Sequence, residues 1–272
     1  MTIAIYGRNI DKDDEKVWFL LRRLAAGGAK TYFCTSELQP STDMLLALGG
    51  DGTFLRAINM LRGSEIPIAG INFGRLGFLT SAKVEEGENS WIDDLLKGNY
   101  TIQKRILLHV ESDAIPHGIY PYALNEFSIQ RQTPAMLRID VGLGSERLPA
   151  YWADGVVVST PTGSTAYSLS VGGPICPPNV EVLIIAPIAP HNLNVRPLVV
   201  AKDSVVELQA IDRKNRSVLL SVDNKDYVLP AGARIKVGCA PFSLKRVCIG
   251  KSSFIDALRS KLFWGEDVRN AR

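Results

Sequence analysis

The sequence predicts an α/β domain with a parallel sheet, followed by an all-β, sandwich-like domain, with a last helix that returns to the first domain. Three observations carry this. Over the first hundred residues strand-like and helix-like runs alternate, the pattern of parallel strands joined by covering helices. From Tyr100 onward the runs shorten, β-branched residues dominate them and turn residues interrupt them. Ser253 to Phe263 then reads as helix again, with Ser252 or Ser253 as its N-cap.

The elements follow in order. Ile3 to Tyr6 is a buried strand ending at Gly7. Asp11 to Ala26 is a helix, with Val17, Leu20, Leu21 and Leu24 on one face. Lys30 to Cys34, Met44 to Leu48 and Ile66 to Ile71 are further strands, Thr53 to Leu61 and Glu85 to Leu96 further helices. The β-domain strands are Ile102–Val110, Ala123–Gln130, Leu137–Leu143, Val156–Thr160, Val205–Ala210, Ser217–Val222, Arg234–Cys239 and Leu244–Ile249, with one isolated helix over Ser164 to Val171. The expected domains are residues 1–98, with 253–272 packing back on them, and residues 99–252.

Composition narrows the partners. Hydrophobic content of 46% and charged content of 22% belong to a globular protein in water. A net charge of +3 without a dense Lys/Arg run gives no footprint for nucleic acid. No apolar stretch reaches transmembrane length, and the N-terminus lacks a signal-peptide charge pattern, so a cytoplasmic protein with no membrane partner is expected. Four scattered cysteines, with no C-x-x-C pair, make a structural zinc site unexpected and fit free thiols in a reducing compartment.

The most informative positions are Gly49-Gly50-Asp51-Gly52-Thr53, between a strand and a helix. Glycines let the backbone approach a ligand closely. Successive N–H groups and a helix N-terminus favour an anion. Gly49, Gly50 and Thr53 are therefore candidate phosphate-binding residues. Asp51 in the middle is the candidate catalytic group, because an acid inside a phosphate cradle needs a metal or an attacking hydroxyl to answer it. Glycine turns also occur in doubly wound folds without catalysis, where Asp is a good N-cap.

A second glycine-rich stretch, Gly70 to Leu79, also follows a strand. Asn72 offers hydrogen bonds, Arg75 is a phosphate candidate or a solvated charge, and Phe78 is a candidate apolar wall. Asn125 and Glu126 break an apolar strand pattern. Adjacent strand residues point to opposite faces, so both meet one ligand only at a bulge or a strand end. From Asp154 a buried strand opens into Ser159-Thr160-Pro161-Thr162-Gly163-Ser164-Thr165-Ala166-Tyr167-Ser168-Leu169-Ser170. This density of hydroxyls at a helix start suits a nucleotide, and no His or Lys adjoins them to make a serine nucleophile.

Together these residues resemble the NAD kinase family, over roughly Met44 to Val222. The marks are Gly49 to Thr53, Gly70 to Leu79, Asn125-Glu126, Asp154 through Tyr167, Pro190-His191 to Arg196-Pro197-Leu198-Val199 and Ser221-Val222-Asp223. The glycine turn alone is shared with diacylglycerol and sphingoid lipid kinases; the full ordered set is specific.

The resemblance implies a Rossmann-like first domain and phosphoryl transfer from ATP, or polyphosphate, to the 2′-hydroxyl of the adenosine ribose of NAD, giving NADP. It implies Mg²⁺ carried by the ATP, and a homodimer or homotetramer through the β domain. Asp51 takes the place of the catalytic aspartate. Asn125 and Glu126 match the pair that holds the dinucleotide, and Thr162, Thr165, Ala166, Tyr167 and Ser170 the adenine and ribose pocket. Asp154 matches the acid near the nicotinamide end, and Gly52, Asn72 and Phe78 join the substrate set. Many members carry a basic residue where this chain has Trp152. A lipid kinase with the same turn and a non-catalytic dinucleotide sensor are the competing expectations.

Overall fold

The computed structural model describes residues 1–8, 10, 14–74, 77–84, 89–116, 118–214, 216–250 and 253–265. The chain divides into two compact units, Met1–Lys104 with Leu244–Arg272, and Arg105–Ser243.

The first unit holds β1 (Thr2–Tyr6), α1 (Glu15–Ala26), β2 (Lys30–Phe33), β3 (Met44–Leu48), α2 (Asp51–Leu61), β4 (Ile68–Asn72), β5 (Thr80–Lys83) and α3 (Ser90–Lys97). The strands pair in parallel in the order β2-β1-β3-β4-β5. Every residue of β3 and β4 is buried, as expected of central parallel strands covered on both faces. The Asp14 carboxylate caps α1 by accepting from the N–H of Lys16 and of Val17. Leu20 and Leu24 of α1 enter a core with Ile3, Ile5, Met44, Leu46 and Ile71, and Val17 is buried on the same helix.

Four local readings change. α1 begins at Glu15 after its Asp14 N-cap, later than the expected Asp11, and residues 11–13 lie outside the described residues. β5 gave no sequence signal, since Thr-Ser-Ala-Lys is short and mostly polar. α2 begins at Asp51, two residues earlier than its apolar pattern suggests. α3 begins at Ser90, and residues 85–88 of the expected helix lie outside the described residues.

The second unit is built from β6 (Tyr100–Glu111, which crosses the unit boundary), β7 (Tyr122–Ala123), β8 (Glu126–Arg131), β9 (Leu137–Leu143), β10 (Glu146–Arg147), β11 (Tyr151–Ala153) and β12 (Gly155–Ser159). A 3₁₀ turn over Thr162–Thr165 and one turn of helix, α4 (Tyr167–Ser170), stand where one helix is expected. Then come β13 (Val182–Ile188), β14 (Leu198–Ala201), β15 (Val206–Ile211), β16 (Val218–Val222), β17 (Lys225–Leu229) and β18 (Arg234–Ile249), before α5 (Phe254–Leu262).

A six-stranded antiparallel sheet runs β14-β13-β12-β8-β16-β17. A second antiparallel set contains β10-β9-β15 and the first part of β18. Phe127, Ile129, Val156 and Leu220 of the first pack with Ile139, Val141, Leu208 and Val237 of the second in one core. The all-β layering is thus a sandwich of two faces.

β18 is one strand where the sequence suggests two. Its C-terminal part belongs to the first unit, where Arg246 pairs in parallel with Ile68 of β4. α5 follows in that unit, capped by a Ser253–Asp256 box. β13 tolerates Pro187 because β14 pairs only as far as Ile185, so the missing N–H faces no partner strand on that side. Among the described residues no helix is long and apolar enough to cross a membrane.

Candidate active site

The glycine turn sits at the carboxyl end of β3. Only Gly49 of its three glycines has a positive φ, 144°, and a side chain there would strike the Thr53 hydroxyl at 2.5 Å. Its N–H donates to the Ile71 carbonyl at 2.8 Å, which ties the turn to β4. Gly50 is extended and caps α2 without any side-chain hydrogen bond, so the first N–H groups of the helix have no capping oxygen. The turn expected to meet an anion thus stands at an uncapped helix start, with the glycine requirement resting on one position.

Asp51 is the first residue of α2, not its N-cap. Its carboxylate turns away from its own helix and accepts the N–H of Phe78 at 2.7 Å and of Leu79 at 3.0 Å. The two acceptor bonds fix the plane of the carboxylate and leave it further lone pairs. Gly77 makes room for this: a β-carbon there would lie 1.8 Å from Asp51 Oδ1. The turn is braced from behind. Buried Arg246 donates from Nε to the Leu79 carbonyl at 2.9 Å, and Gly77 N–H donates to the Thr80 hydroxyl at 2.6 Å. Lys261 of α5 donates from Nζ to the Gly77 carbonyl and lies 5.2 Å from the centre of the Phe78 ring. Asn72 is buried and accepts from the Gly74 N–H at 2.7 Å. Arg75 falls outside the described residues.

In the second unit Leu124 and Asn125 form a break between β7 and β8, and Glu126 opens β8. This is the strand end that an Asn–Glu pair needs to meet one ligand. Asp223 makes it. It sits in the β16–β17 turn with φ of 50° and accepts the N–H of Leu124 (2.9 Å), Asn125 (2.9 Å) and Glu126 (3.2 Å). Its own N–H returns to the Glu126 carbonyl at 2.9 Å.

Burial pushes the Glu126 carboxyl up to about 8, with the Asp223 charge adding to the rise and the Tyr167 N–H opposing it. Burial also raises Asp223, to about 6, against the pull of its three N–H donors and Lys225. Glu126 Oε2 and Ser159 Oγ are buried and lack a partner among the described residues, and the two residues face each other across β8 and β12. Such orphaned oxygens are what a ligand's hydrogen-bonding groups answer.

These shifts set a pH dependence. Both acids are raised in the fold, so the folded chain binds more protons than the unfolded one. Their stabilising contribution is complete below about pH 4, where unfolded carboxyls titrate. It is lost as pH rises through about 6 for Asp223 and about 8 for Glu126. The melting temperature of the ligand-free protein is expected to carry a falling component across this window, and Glu126→Gln to flatten its upper half. Identical slopes for the two proteins between about pH 6 and about pH 8 would show that Glu126 does not hold that proton.

The hydroxyl-rich loop divides into two groups. Thr160 and Ser164 serve the loop itself: Thr160 donates to the Leu124 carbonyl at 2.5 Å, and Ser164 bridges the Pro161 carbonyl (2.7 Å) and the Cys176 N–H (3.0 Å). Thr165 leans back on the Thr162 carbonyl at 3.4 Å. Ser168 Oγ is buried and without a partner among the described residues, and Ser170 is exposed. Gly163 lies against Asn125, so this loop and the 124–126 break are locked together.

The Tyr167 hydroxyl donates to Gln130 Oε1 at 3.4 Å, and Ala166 is half-buried at the start of α4. Asp154 is held by Arg131 in a two-pronged pair, at 2.6 and 2.9 Å, which sequence reading did not find. Trp152 has cationic company after all: the Arg213 guanidinium lies 5.5 Å from its ring centre.

An uncapped helix start with a fixed carboxylate, together with a β unit that presents orphaned polar groups beside an aromatic ring, is the equipment of a nucleotide phosphotransferase. Residues 13–100 match the family model for the ATP-NAD kinase N-terminal domain, and residues 124–248 that for the ATP-NAD kinase C-terminal domain. The chain belongs to the NAD kinase family.

Its relatives include an NAD kinase of Christiangramia forsetii, 40% identical over 246 residues, which cover 89% of this chain and 82% of the relative. An NAD kinase of Porphyromonas gingivalis is 45% identical over 229 residues, 84% of this chain and 78% of the relative. Among solved structures, an NAD kinase from Archaeoglobus fulgidus in complex with ATP matches with a TM-score of 0.77 at 25% identity, over 97% of this chain and 98% of that one. Yeast NADH kinase complexed with NADH shares the fold, with a TM-score of 0.86 at 24% identity over 100% of this chain and 90% of that one.

Proposed function

We propose that this chain transfers the γ-phosphoryl group of ATP to the 2′-hydroxyl of the adenosine ribose of NAD, forming NADP and ADP. The observation that carries the reading is the Asp51 carboxylate, fixed by the Phe78 and Leu79 N–H groups at the start of a helix that no side chain caps. The ribose oxygen forms a bond to the γ-phosphorus while the bond from that phosphorus to the β–γ bridging oxygen breaks. ADP leaves with the electron pair, and the hydroxyl proton passes to Asp51. The transition state is loose, so the proton moves late and Asp51 mainly orients the hydroxyl by accepting its hydrogen bond.

Gly49, Gly50 and Thr53 cradle phosphate, with Arg75 in the same role, and Gly52, Asn72 and Phe78 line the substrate. Asn125, Glu126, Asp154, Thr162, Thr165, Ala166, Tyr167 and Ser170 hold the dinucleotide. At neutral pH Glu126 keeps its proton, and so offers the ligand an O–H donor.

Mg²⁺ fits as an ion carried by the ATP, since this ion prefers substrate phosphates, water and one or two carboxylates to an all-protein cage. Asp51 is the carboxylate within the cradle, and bound Mg²⁺ would neutralise charge on the phosphates. Copies of the chain associate through the β domain, whose edge strands β14 and β17 carry the exposed Val199 and Val228. Four free cysteines support a cytoplasmic location.

The test is an NADP-forming assay on purified protein with NAD and Mg²⁺, run in parallel with ATP and with polyphosphate. Diacylglycerol replaces NAD in a control. NADP made with either donor, and no labelled lipid, is the expected result. NAD binding by calorimetry without any NADP would make the protein a sensor and end the proposal.

A further inference from the structure

Lys261 is a second charged group beside the Asp51 carboxylate, and it comes from the far end of the chain. It lies in the last turn of α5, which belongs to the same unit as the glycine turn. Three observations place its ammonium. Nζ donates to the carbonyl of Gly77, the residue whose missing side chain leaves room for Asp51 Oδ1. It stands 5.2 Å from the centre of the Phe78 ring, and Phe78 N–H is itself bonded to Asp51 Oδ2. The Asp51 charge also favours its protonated form. Yet among the described residues no carboxylate forms an ion pair with it.

An anchor for α5 needs none of this. The helix already buries Leu258, and a partly desolvated ammonium without a carboxylate in contact opposes stability. Burial lowers the readiness of Lys261 to hold its proton, and the Arg246 charge adds to that, while Asp51 works the other way. A perturbed cation that lacks a carboxylate partner among the described residues and stands near an acid marks a candidate functional group.

We propose that Lys261 binds the terminal phosphate of the donor beside Asp51. One of its three N–H donors fixes it to the Gly77 carbonyl, and the other two, without a partner among the described residues, can meet phosphate oxygens. In the transfer described above it acts on the equatorial oxygens of the γ-phosphoryl group. No atom passes to or from the lysine; its charge offsets the build-up of negative charge between the departing ADP and the ribose oxygen.

This assignment rests on the proposed kinase reaction but is tested separately from it. Lys261→Met and Lys261→Arg are compared with the wild type in NADP formation and in calorimetric binding of Mg-ATP and of NAD. Lys261→Met is expected to lower kcat/KM for ATP by about 10²-fold. Its KM for NAD should stay within roughly twofold of the wild type. Lys261→Arg, which keeps a cation, should recover part of the loss.

If Lys261→Met lowers only the melting temperature, with both ATP parameters unchanged, the lysine is an anchor and the assignment falls. Equal losses in the methionine and arginine variants, matched by equal losses of melting temperature, would overturn it in the same way. A wild type that binds Mg-ATP but forms no NADP defeats the kinase reading alone. The ATP affinity of Lys261→Met then decides the lysine.

Discussion

Asp51→Asn is expected to fold, to bind NAD with little change, and to form NADP about 10²–10⁴-fold more slowly than the wild type. The amide keeps one acceptor oxygen for the 78–79 turn and presents an NH₂ where the carboxylate had a second. One of the two bonds, to Phe78 at 2.7 Å or to Leu79 at 3.0 Å, is therefore lost. That loss costs about 1 kcal/mol of stability, well short of unfolding a domain. The loss of rate has another origin: an amide takes no proton from the ribose hydroxyl and places no negative charge behind it. Steady-state NADP formation, calorimetry with NAD and a thermal melt separate the effects. Turnover close to that of the wild type would remove Asp51 from the mechanism.

Gly163→Ala is expected to have the largest effect on stability. A β-carbon at this position would lie 2.1 Å from the Asn125 carbonyl oxygen, 2.5 Å from its carbon and 2.7 Å from its α-carbon. All three are backbone atoms, so no rotamer change relieves the contact. The 159–166 loop must move away from the 124–126 break, and that breaks the Thr160 N–H bond to the Asn125 carbonyl at 2.9 Å and the Thr160 hydroxyl bond to Leu124. A cost of about 3 kcal/mol or more follows from overpacking plus the lost bonds. NAD binding should weaken as well, because Asn125, Glu126 and Tyr167 lose their common frame. Urea unfolding and NAD titration measure the two effects. A variant with unchanged denaturation midpoint and NAD affinity would show that the two segments are not locked.

Much of the candidate site's framework was legible because its parts are local in sequence. The Gly49–Thr53 turn announces itself through an apolar strand before it and an apolar helical pattern after it, and β3 and α2 stand there. Asn125-Glu126 showed polar residues inside a strand pattern together with the demand for a strand end, and the break between β7 and β8 is that end. The hydroxyl loop was visible, but which hydroxyls hold the loop was not. Ser164 reaches Cys176, twelve residues on, and no pattern in a sequence marks that bond.

The rest depends on groups far apart in the chain. Asp51 meets the N–H groups of residues 27 and 28 positions later, and Asp223 those of residues 97 to 99 positions earlier. Arg131 finds Asp154, and Arg246 finds the Leu79 carbonyl, across strand pairings that only the folded sheets create. β5 and β17 were silent because four or five residues of mixed polarity do not show a period, and β14 because four apolar residues are too few to mark a strand.

The sequence by itself determined the chemistry on offer: a glycine turn around one acid, a polar pair in an apolar strand and a loop rich in hydroxyls, laid out as an α/β unit and then a β unit. Tertiary structure alone decided what each group faces, and so its protonation, its orientation and its company. The reason is physical. Periodicity and turn propensity act over a few neighbouring residues, whereas desolvation, backbone N–H donors and opposing charges are supplied by whatever segment the fold brings alongside.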